Sequence, residues 1–164
     1  MAAVAADRAW VFADLTVQGG AVGLSGGPTA LNPRRVGRIT SPGVKMDFAS
    51  NMLSPLWKAE LPDGTELSFE LAVSQDGESW GPWNQMDADV DAMGAINPSF
   101  PDGRPNPNYG FTPGGILGFG LEKWQWFRYR ITLSSDGGAS PFVSAVRVFY
   151  QDTTLGKGRL AELQ

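Results

Sequence analysis

Apolar and polar residues alternate with a period of two through much of the chain. In 56–61, the apolar residues Trp57, Ala59 and Leu61 alternate with two charged residues. The same alternation recurs in 67–73, 126–133 and 146–150. This pattern is typical of strands that bury one face. Turn residues at Pro62-Asp63-Gly64 follow the first segment, so the sequence predicts antiparallel strands, with 56–61 and 67–73 paired as a hairpin.

A second turn and a short first strand complete the predicted strand pattern. Asp76-Gly77 predicts a tight turn into a returning strand that begins within 79–84. Residues 21–25 predict a short strand before the others. The sequence therefore predicts one strand before 56–61 and one directly after 67–73.

Helical spacing is confined to two short segments at the ends of the chain. These are 2–9 and 155–164, where Leu160 and Leu163 lie three residues apart. We therefore predict three parts: an N-terminal segment 1–19, a β domain 20–154 and a C-terminal tail or linker 155–164.

The alternation stops between Met86 and Pro113. This segment has several Asn and Gly residues and five prolines: Pro98, Pro101, Pro105, Pro107 and Pro113. Connections between strands usually have about 2–6 residues, and long loops are commonly functional or packed against the domain. Because no internal repeat accompanies it, we interpret the segment as one long loop that leaves a single sandwich.

The composition agrees with a β domain rich in turns. The chain has 164 residues, a length that suits one domain. Its 21 Gly and 12 Pro residues indicate many turns, and its 42% of hydrophobic residues is too high for a disordered chain. We therefore predict an all-β fold, a single antiparallel β-sandwich of jelly-roll type with one long loop rich in Pro, Gly and Asn.

The absence of His and Cys excludes several catalytic chemistries. Without these residues the chain cannot supply a zinc site of imidazole or thiolate ligands, a Ser-His-Asp triad or a Cys-His dyad. Carboxylate pairs remain, but Glu66 and Glu70 share the polar side of one predicted strand and are interpreted as solvated surface charges. We therefore predict that the protein is not an enzyme.

Charge and hydropathy narrow the range of partners. The formal net charge of −4 argues against a nucleic-acid partner, because binding to phosphates requires a basic face. No stretch approaches the ~18 apolar residues of a membrane helix, so we expect no membrane insertion. The N-terminus lacks a charged leader followed by an apolar core of about 7–15 residues, so no signal peptide is predicted.

The run Ser-Gln-Asp-Gly-Glu-Ser-Trp at 74–80 resembles the S-x-D-G-x-x-W hairpin of discoidin-like, galactose-binding-type β-sandwiches. Further motifs lie around it in the following order: Gly-Arg-Ile-Thr-Ser-Pro at 37–42, Phe48, Leu-Trp-Lys-Ala-Glu-Leu-Pro-Asp-Gly-Thr at 56–65, the acidic stretch 87–91, Trp-Phe-Arg-Tyr-Arg at 126–130 and the ending 140–150. This order is similar to the β-sandwich module that precedes the catalytic domain in some bacterial N-acetylmuramoyl-L-alanine amidases.

The resemblance spans about 20–154, which is most of the chain. It implies a galactose-binding-like fold and an accessory domain that works outside the cell or at the cell surface. The amidase reaction is not implied, because those enzymes use a zinc ion held by His and Cys, and this chain has neither residue.

A cell-wall or surface glycan such as peptidoglycan is our first hypothesis for the ligand of such a module. A sugar stacks its C–H face on an aromatic ring while neighbouring polar groups bond to its hydroxyls. The alternation places aromatic and guanidinium groups on the outer side of the strand at 124–130, and we expect the long loop to border them. The predicted ligand-binding residues are Trp124, Trp126, Arg128, Arg130, Asn108, Tyr109 and Phe111.

The extent of this patch stays open in the sequence. Arg147 and Phe149 would extend it if the last strand neighbours 124–130. Alternatively, the long loop covers these aromatic residues as a second small core, because clusters of aromatic residues mostly serve packing. The other tryptophans of the strand region are expected in the main core: Trp57, Trp80 and Trp83.

The same patch supports an alternative function. Trp and Arg are enriched among the hot spots of protein interfaces. The chain is therefore alternatively a structural or assembly subunit that uses its aromatic and arginine face to bind a partner protein or a second copy of itself.

One acidic segment is a candidate for calcium. Asp87, Asp89 and Asp91 match the opening of a calcium loop, but Ala92 and Pro98 stand where an EF-hand has Gly and Glu. We otherwise predict no cofactor. A looser Ca²⁺ site of carboxylates and loop carbonyls stays open beside the simpler interpretation of a solvated acidic segment.

Overall fold

Two antiparallel β-sheets pack face to face in the computed structural model. It describes residues 11–13, 15–18, 21–24, 35–89, 99, 102–106, 108–137 and 139–163, and only the backbone of those in 11–24 and 159–163. These residues form thirteen strands and no helix. In chain order the strands are β1 (Val11–Ala13), β2 (Leu15–Gln18), β3 (Ala21–Leu24), β4 (Arg35–Thr40), β5 (Val44–Ser50), β6 (Met52–Glu60), β7 (Thr65–Ser74), β8 (Asn84–Gln85), β9 (Thr112–Pro113), β10 (Leu117–Gly118), β11 (Trp124–Ser135), β12 (Phe142–Asp152) and β13 (Lys157–Leu163).

The first sheet has six strands within the described ranges and is centred on β11. Its order is β1-β4-β11-β7-β8, and β5 pairs with β11 beside β4. One side of β11 pairs with β7 from Trp126 to Ser135, and the other side pairs with β5 and then β4. Ser41 lies in the connection between β4 and β5, and its hydroxyl accepts the N–H of Tyr129 in β11 at 2.8 Å.

The second sheet has seven described strands and is centred on β6 and β12. Its order is β10-β6-β12-β3-β2, while β9 also pairs with β6 and β13 with β12. β12 therefore has β6 along one side, and β3 and β13 in turn along the other. The end of the predicted long loop returns to this sheet as β9, along the edge of β6.

Apolar side chains fill the space between the two sheets. Fully buried examples are Phe69, Leu71, Phe127, Leu133 and Val148. The Phe69 ring stacks between those of Trp57 and Tyr129, with centroid distances of 5.1 and 5.4 Å. These residues occupy the apolar positions of the alternating segments, which confirms the predicted antiparallel β-sandwich.

The predicted pairing of 56–61 with 67–73 is wrong, because β6 and β7 lie in different sheets. The turn at 62–64 carries the chain from one sheet to the other. Trp57 of β6 then meets Phe69 of β7 across the core. Strands that face each other across a core bury their apolar side, and so do strands paired within one sheet. Alternation therefore does not distinguish the two arrangements. The turn after β7 is confirmed, since β8 returns antiparallel along β7.

Strands also occur where the sequence predicts segments outside the β domain. β3 confirms the strand predicted at 21–25, but β1 and β2 lie within the predicted N-terminal segment. β13 pairs with β12 along its full length, so 157–163 is an edge strand instead of a helical tail or linker. The helical spacing at 2–9 lies outside the described residues. In the described ranges there is no helix with the length and hydropathy needed to cross a membrane.

Candidate functional site

The predicted patch is divided between the two outer faces of the sandwich. β11 belongs to the six-stranded sheet and β12 to the seven-stranded sheet. Arg147 and Phe149 of β12 therefore do not extend the surface formed by Trp126, Arg128 and Arg130 of β11. Apart from Trp124, alternation predicted which of these side chains face outward, but it carries no information about which strands are neighbours.

A stack of aromatic and guanidinium groups covers the outer face of the six-stranded sheet. We call it the Trp–Arg ladder; its members are Trp80, Trp83, Trp126, Arg128 and Arg130. The guanidinium carbon of Arg128 lies 4.4 Å from the Trp80 ring centroid and 4.9 Å from that of Trp83. The Arg130 guanidinium lies 4.4 Å from the Trp83 centroid. The Trp83 ring is therefore in contact with two cations, each in the range of a cation–π interaction.

A carboxylate fixes one end of the ladder. Glu70 of β7 lies directly opposite Arg130 in the strand register. The Arg130 Nε and Nη2 groups donate to the two carboxylate oxygens at 2.7 and 2.6 Å. These hydrogen bonds, together with the Arg130 charge, lower the pKa of Glu70 below its usual value. The bidentate contact holds the guanidinium plane in place.

Two glycines make room for the tryptophan rings of the ladder. A Cβ atom on Gly77 would lie 2.9 Å from the Trp126 ring, and a Cβ on Gly43 would lie 2.9 Å from the Trp80 ring. Gly77 also has a φ of +80°, which favours glycine. The backbone is thus part of the packing against Trp80 and Trp126.

The turn that carries Gly77 is held by an aspartate. The Asp76 Oδ1 atom accepts the backbone N–H groups of Glu78 and Ser79, each at 2.8 Å, and the Ser74 hydroxyl at 2.9 Å. These bonds hold the pKa of Asp76 well below its usual range. The S-x-D-G-x-x-W motif therefore fixes the turn and delivers Trp80 to the ladder.

Three tryptophans lie in places that the sequence did not predict. Trp57 is buried in the core as expected, but Trp80 and Trp83 are half-buried on the outer face. Conversely, Trp124 leaves the predicted patch, because the register of β11 on β5 shifts between Trp124 and Trp126. Its ring packs against the core and lies 5.6 Å from that of Phe119.

The long loop forms a separate group on the seven-stranded sheet. We call this group the Tyr109 loop. It consists of the loop residues Asn108, Tyr109 and Phe111 together with Arg147 of the neighbouring strand β12. Arg147 Nη1 donates to Asn108 Oδ1 at 2.8 Å, and the Arg147 guanidinium lies 4.3 Å from the Phe111 ring centroid. Asn108 and Phe111 of the loop therefore contact the outer side of β12 at Arg147, which lies on the opposite face of the sandwich from Trp126, Arg128 and Arg130.

Tyr109 remains on the surface of this loop. Its side chain is 59% exposed. Backbone bonds shape the loop on both sides of it: the Tyr109 N–H donates to Asn106 and the Phe111 N–H to Asn108. An exposed aromatic ring that follows an amide side chain in the same loop has chemistry suited to a sugar-binding position.

The acidic segment gives no indication of a metal site in the described residues. Asp87 is exposed, Asp89 is half-buried, and Asp91 lies outside the described residues. Within the described ranges no three His, Cys, Asp or Glu side chains come together in a way that could hold a metal ion. The calcium site stays a prediction.

One signal in the sequence could have located part of the ladder. Arg128 and Arg130 occupy outward positions of a long strand, where cations usually pair with carboxylates or aromatic rings. Trp80 and Trp83 flank a Gly-Pro step after a turn, so they follow no strand alternation.

The chain matches no known family model and no curated protein with which it was compared.

Proposed function

We propose that the protein is a non-catalytic binding module for a cell-wall or surface glycan. The observation that carries this proposal is the Tyr109 loop. Among the aromatic residues whose side chains the structure describes, Tyr109 is the only exposed one, at 59%, and it follows Asn108, whose side chain accepts a hydrogen bond from Arg147. A sugar ring can stack on such a side chain while the neighbouring polar groups bond to its hydroxyls.

The rings of the Trp–Arg ladder suit sugar stacking less well. The guanidinium groups of Arg128 and Arg130 both lie over the Trp83 ring. The Trp80 ring packs between Arg128 and Gly43. Stacking requires a free ring face, and guanidinium groups already lie over the rings of Trp80 and Trp83. The proposal therefore assigns sugar stacking to Tyr109 and not to the tryptophans.

An accessory role at the cell surface is part of the same proposal. It is supported by the resemblance to the modules that precede amidase catalytic domains. The lack of His and Cys agrees with a part that binds the cell wall while another part performs the reaction.

Sedimentation with purified peptidoglycan tests the proposal, with soluble N-acetylglucosamine oligomers as competitors. We expect saturable binding by the wild type. Tyr109→Ala should weaken binding roughly two- to tenfold, the range of about 0.5–1.5 kcal/mol for an aromatic stacking contact. Tyr109→Phe keeps the ring and should bind as the wild type does.

Leu121→Ala is the matched control, because Leu121 is another exposed apolar side chain, 84% accessible, in the connection between β10 and β11. It should leave binding unchanged. The proposal is wrong if the wild type does not sediment with peptidoglycan, or if Tyr109→Ala binds as tightly as Leu121→Ala.

A further inference from the structure

The chain has four Asp-Gly steps, at 63–64, 76–77, 102–103 and 136–137. An aspartate before a glycine is chemically labile, because the glycine nitrogen attacks the side-chain carboxyl group and glycine has no side chain to hinder the approach. The attack requires a carboxyl group that is free to turn and an N–H group that is free to react. The hydrogen bonds of the folded chain therefore decide which of the four steps reacts.

The step at Asp76 is held on both sides. Its carboxylate oxygen Oδ1 accepts two backbone N–H groups and the Ser74 hydroxyl. The same Ser74 oxygen accepts the Gly77 N–H at 2.9 Å. Both groups that would have to react are thus occupied, and the bonds to an ionised carboxylate are the stronger kind.

Two more steps each have one reacting group occupied. The Asp102 carboxylate accepts the backbone N–H and the Nε of Arg104, at 3.2 and 2.6 Å. At the last step of the four, the Gly137 N–H donates to the Ser135 hydroxyl at 3.3 Å. In each case a hydrogen bond must break before the ring-closing attack begins.

The remaining step, Asp63-Gly64, lies in the turn between β6 and β7, where both residues are exposed. The turn is closed by the Thr65 N–H, which donates to the Pro62 carbonyl at 3.0 Å. The Gly64 carbonyl accepts the Asp136 N–H, also at 3.0 Å. Neither bond uses the Asp63 carboxylate or the Gly64 N–H, and within the described ranges these two groups have no other hydrogen-bond partner. Both reacting groups are therefore free.

We propose that Asp63 is a site of spontaneous modification, at which its link to Gly64 isomerises through a succinimide. The Gly64 nitrogen bonds to Cγ of Asp63, and the proton of that nitrogen leaves with the carboxyl hydroxyl as water. Water then adds to one of the two carbonyl carbons of the ring. Addition at Cγ restores aspartate, whereas addition at the former backbone carbonyl carbon leaves isoaspartate, joined to Gly64 through Cγ.

The product changes the turn that joins the two sheets. Isoaspartate puts one additional carbon into the main chain between Pro62 and Thr65, and it carries a free α-carboxylate. That carboxylate is the group that an isoaspartyl O-methyltransferase methylates, with S-adenosylmethionine as the methyl donor. An enzyme of this class is therefore the partner that would recognise the modified turn.

Storage of the folded protein at neutral pH, followed by digestion after glutamate residues, tests the proposal. The digestion isolates the Asp63 step in peptide 61–66 and the Asp76 step in peptide 71–78. Electron-transfer fragmentation locates isoaspartate in the longer peptides. We expect isoaspartate to accumulate in 61–66 about tenfold faster than in 71–78, where bonds to an ionised carboxylate must break first. It should also accumulate there faster than at the other two steps.

Asp63→Glu should remove most of the isoaspartate that the methyltransferase counts in the stored protein. The substitution keeps the charge at an exposed position, but the longer side chain would have to close a larger ring, which forms less readily. Asp102→Glu is the matched control, because it makes the same change at another exposed Asp-Gly step. It should leave the isoaspartate count nearly unchanged.

The chain unfolded in guanidinium chloride separates the effect of the fold from that of the local sequence. All four steps lose their hydrogen bonds there and should form isoaspartate at similar rates. The proposal is overturned if the folded protein forms no isoaspartate in 61–66, if another Asp-Gly step reacts as fast, or if Asp63→Glu leaves the count unchanged. It is also overturned if the unfolded chain keeps the ranking of the folded protein.

Discussion

Replacing Arg128 with Lys tests whether stacked guanidinium groups hold the Trp–Arg ladder together. Arg128 lies 4.4 Å from the Trp80 ring centroid and 4.9 Å from that of Trp83. A cation–π contact contributes about 0.5–1 kcal/mol at an exposed site and about 2 kcal/mol when desolvated. Because Arg128 is half-buried, we assign about 1 kcal/mol to each ring.

The lysine ammonium keeps the charge but has no plane to insert between two rings. Arg128→Lys should therefore keep at most one of the two contacts and lower the free energy of unfolding by about 1 kcal/mol. For a domain of this size that corresponds to a fall of roughly 2–4 °C in the melting temperature. Urea denaturation followed by tryptophan fluorescence, with circular dichroism as a second probe, measures the change.

Arg38→Lys is the matched control, because Arg38 is exposed and its Nε makes one long hydrogen bond, 3.4 Å, to Thr132. It should change the free energy of unfolding by less than about 0.5 kcal/mol. Equal effects of the two substitutions would refute the reasoning. So would a double-mutant cycle with Trp83→Leu in which the two effects simply add, since residues in contact should couple.

Three further predictions concern the scaffold. Leu133→Ala empties a fully buried position of β11 and should cost about 2–5 kcal/mol in urea denaturation; a loss below about 1 kcal/mol would contradict the described core. Gly114→Ala should destabilise by about 1–3 kcal/mol, because the new Cβ would lie 2.7 Å from Pro55 and 2.8 Å from Trp57; an unchanged melting temperature would count against this packing. Hydrogen bonds from Lys123, at 2.7 Å, and Thr154 lower the pKa of Asp152, so its contribution to stability is present above the unfolded pKa of about 3.9 and is lost as pH falls through the lower folded value. Asp152→Asn should therefore be less stable at pH 6 and lose less stability than the wild type between pH 6 and pH 2; parallel acid denaturation curves would contradict it.

The sequence predicts the strands more reliably than their neighbours. Alternation records which side of a strand is buried, and the core positions of β7, β11 and β12 agree with it. Pairing depends on contacts between distant segments, which alternation does not contain. This is why 56–61 and 67–73 were predicted as a hairpin although they face each other across the core.

Edge strands and loop residues depend still more on distant contacts. β13 has the spacing of a short helix in Leu160 and Leu163, but the free edge of β12 provides backbone partners that decide its conformation. A register shift of β11 on β5 turns Trp124 toward the core, and a shift of this kind leaves no mark in the sequence pattern.

The sequence predicted only part of the candidate site, because the rest of it also depends on contacts between distant segments. Outward positions in β11 identified Trp126, Arg128 and Arg130 correctly as surface residues. Trp80 and Trp83 were assigned to the core because large apolar residues are usually buried. Their place depends on the arginines of another strand, 45 or more residues away in the chain, and on Gly43 behind the Trp80 ring.

The most direct measurement of the central claim is an NMR titration of the ¹⁵N-labelled protein with N-acetylglucosamine oligomers. We expect saturable shifts confined to the Tyr109 loop, at the amides of Asn108 and Tyr109 and the side chain of Arg147, with the ladder tryptophan indoles unchanged. No shifts at saturating ligand, or shifts centred on other residues, would contradict the assignment of the glycan site to this loop.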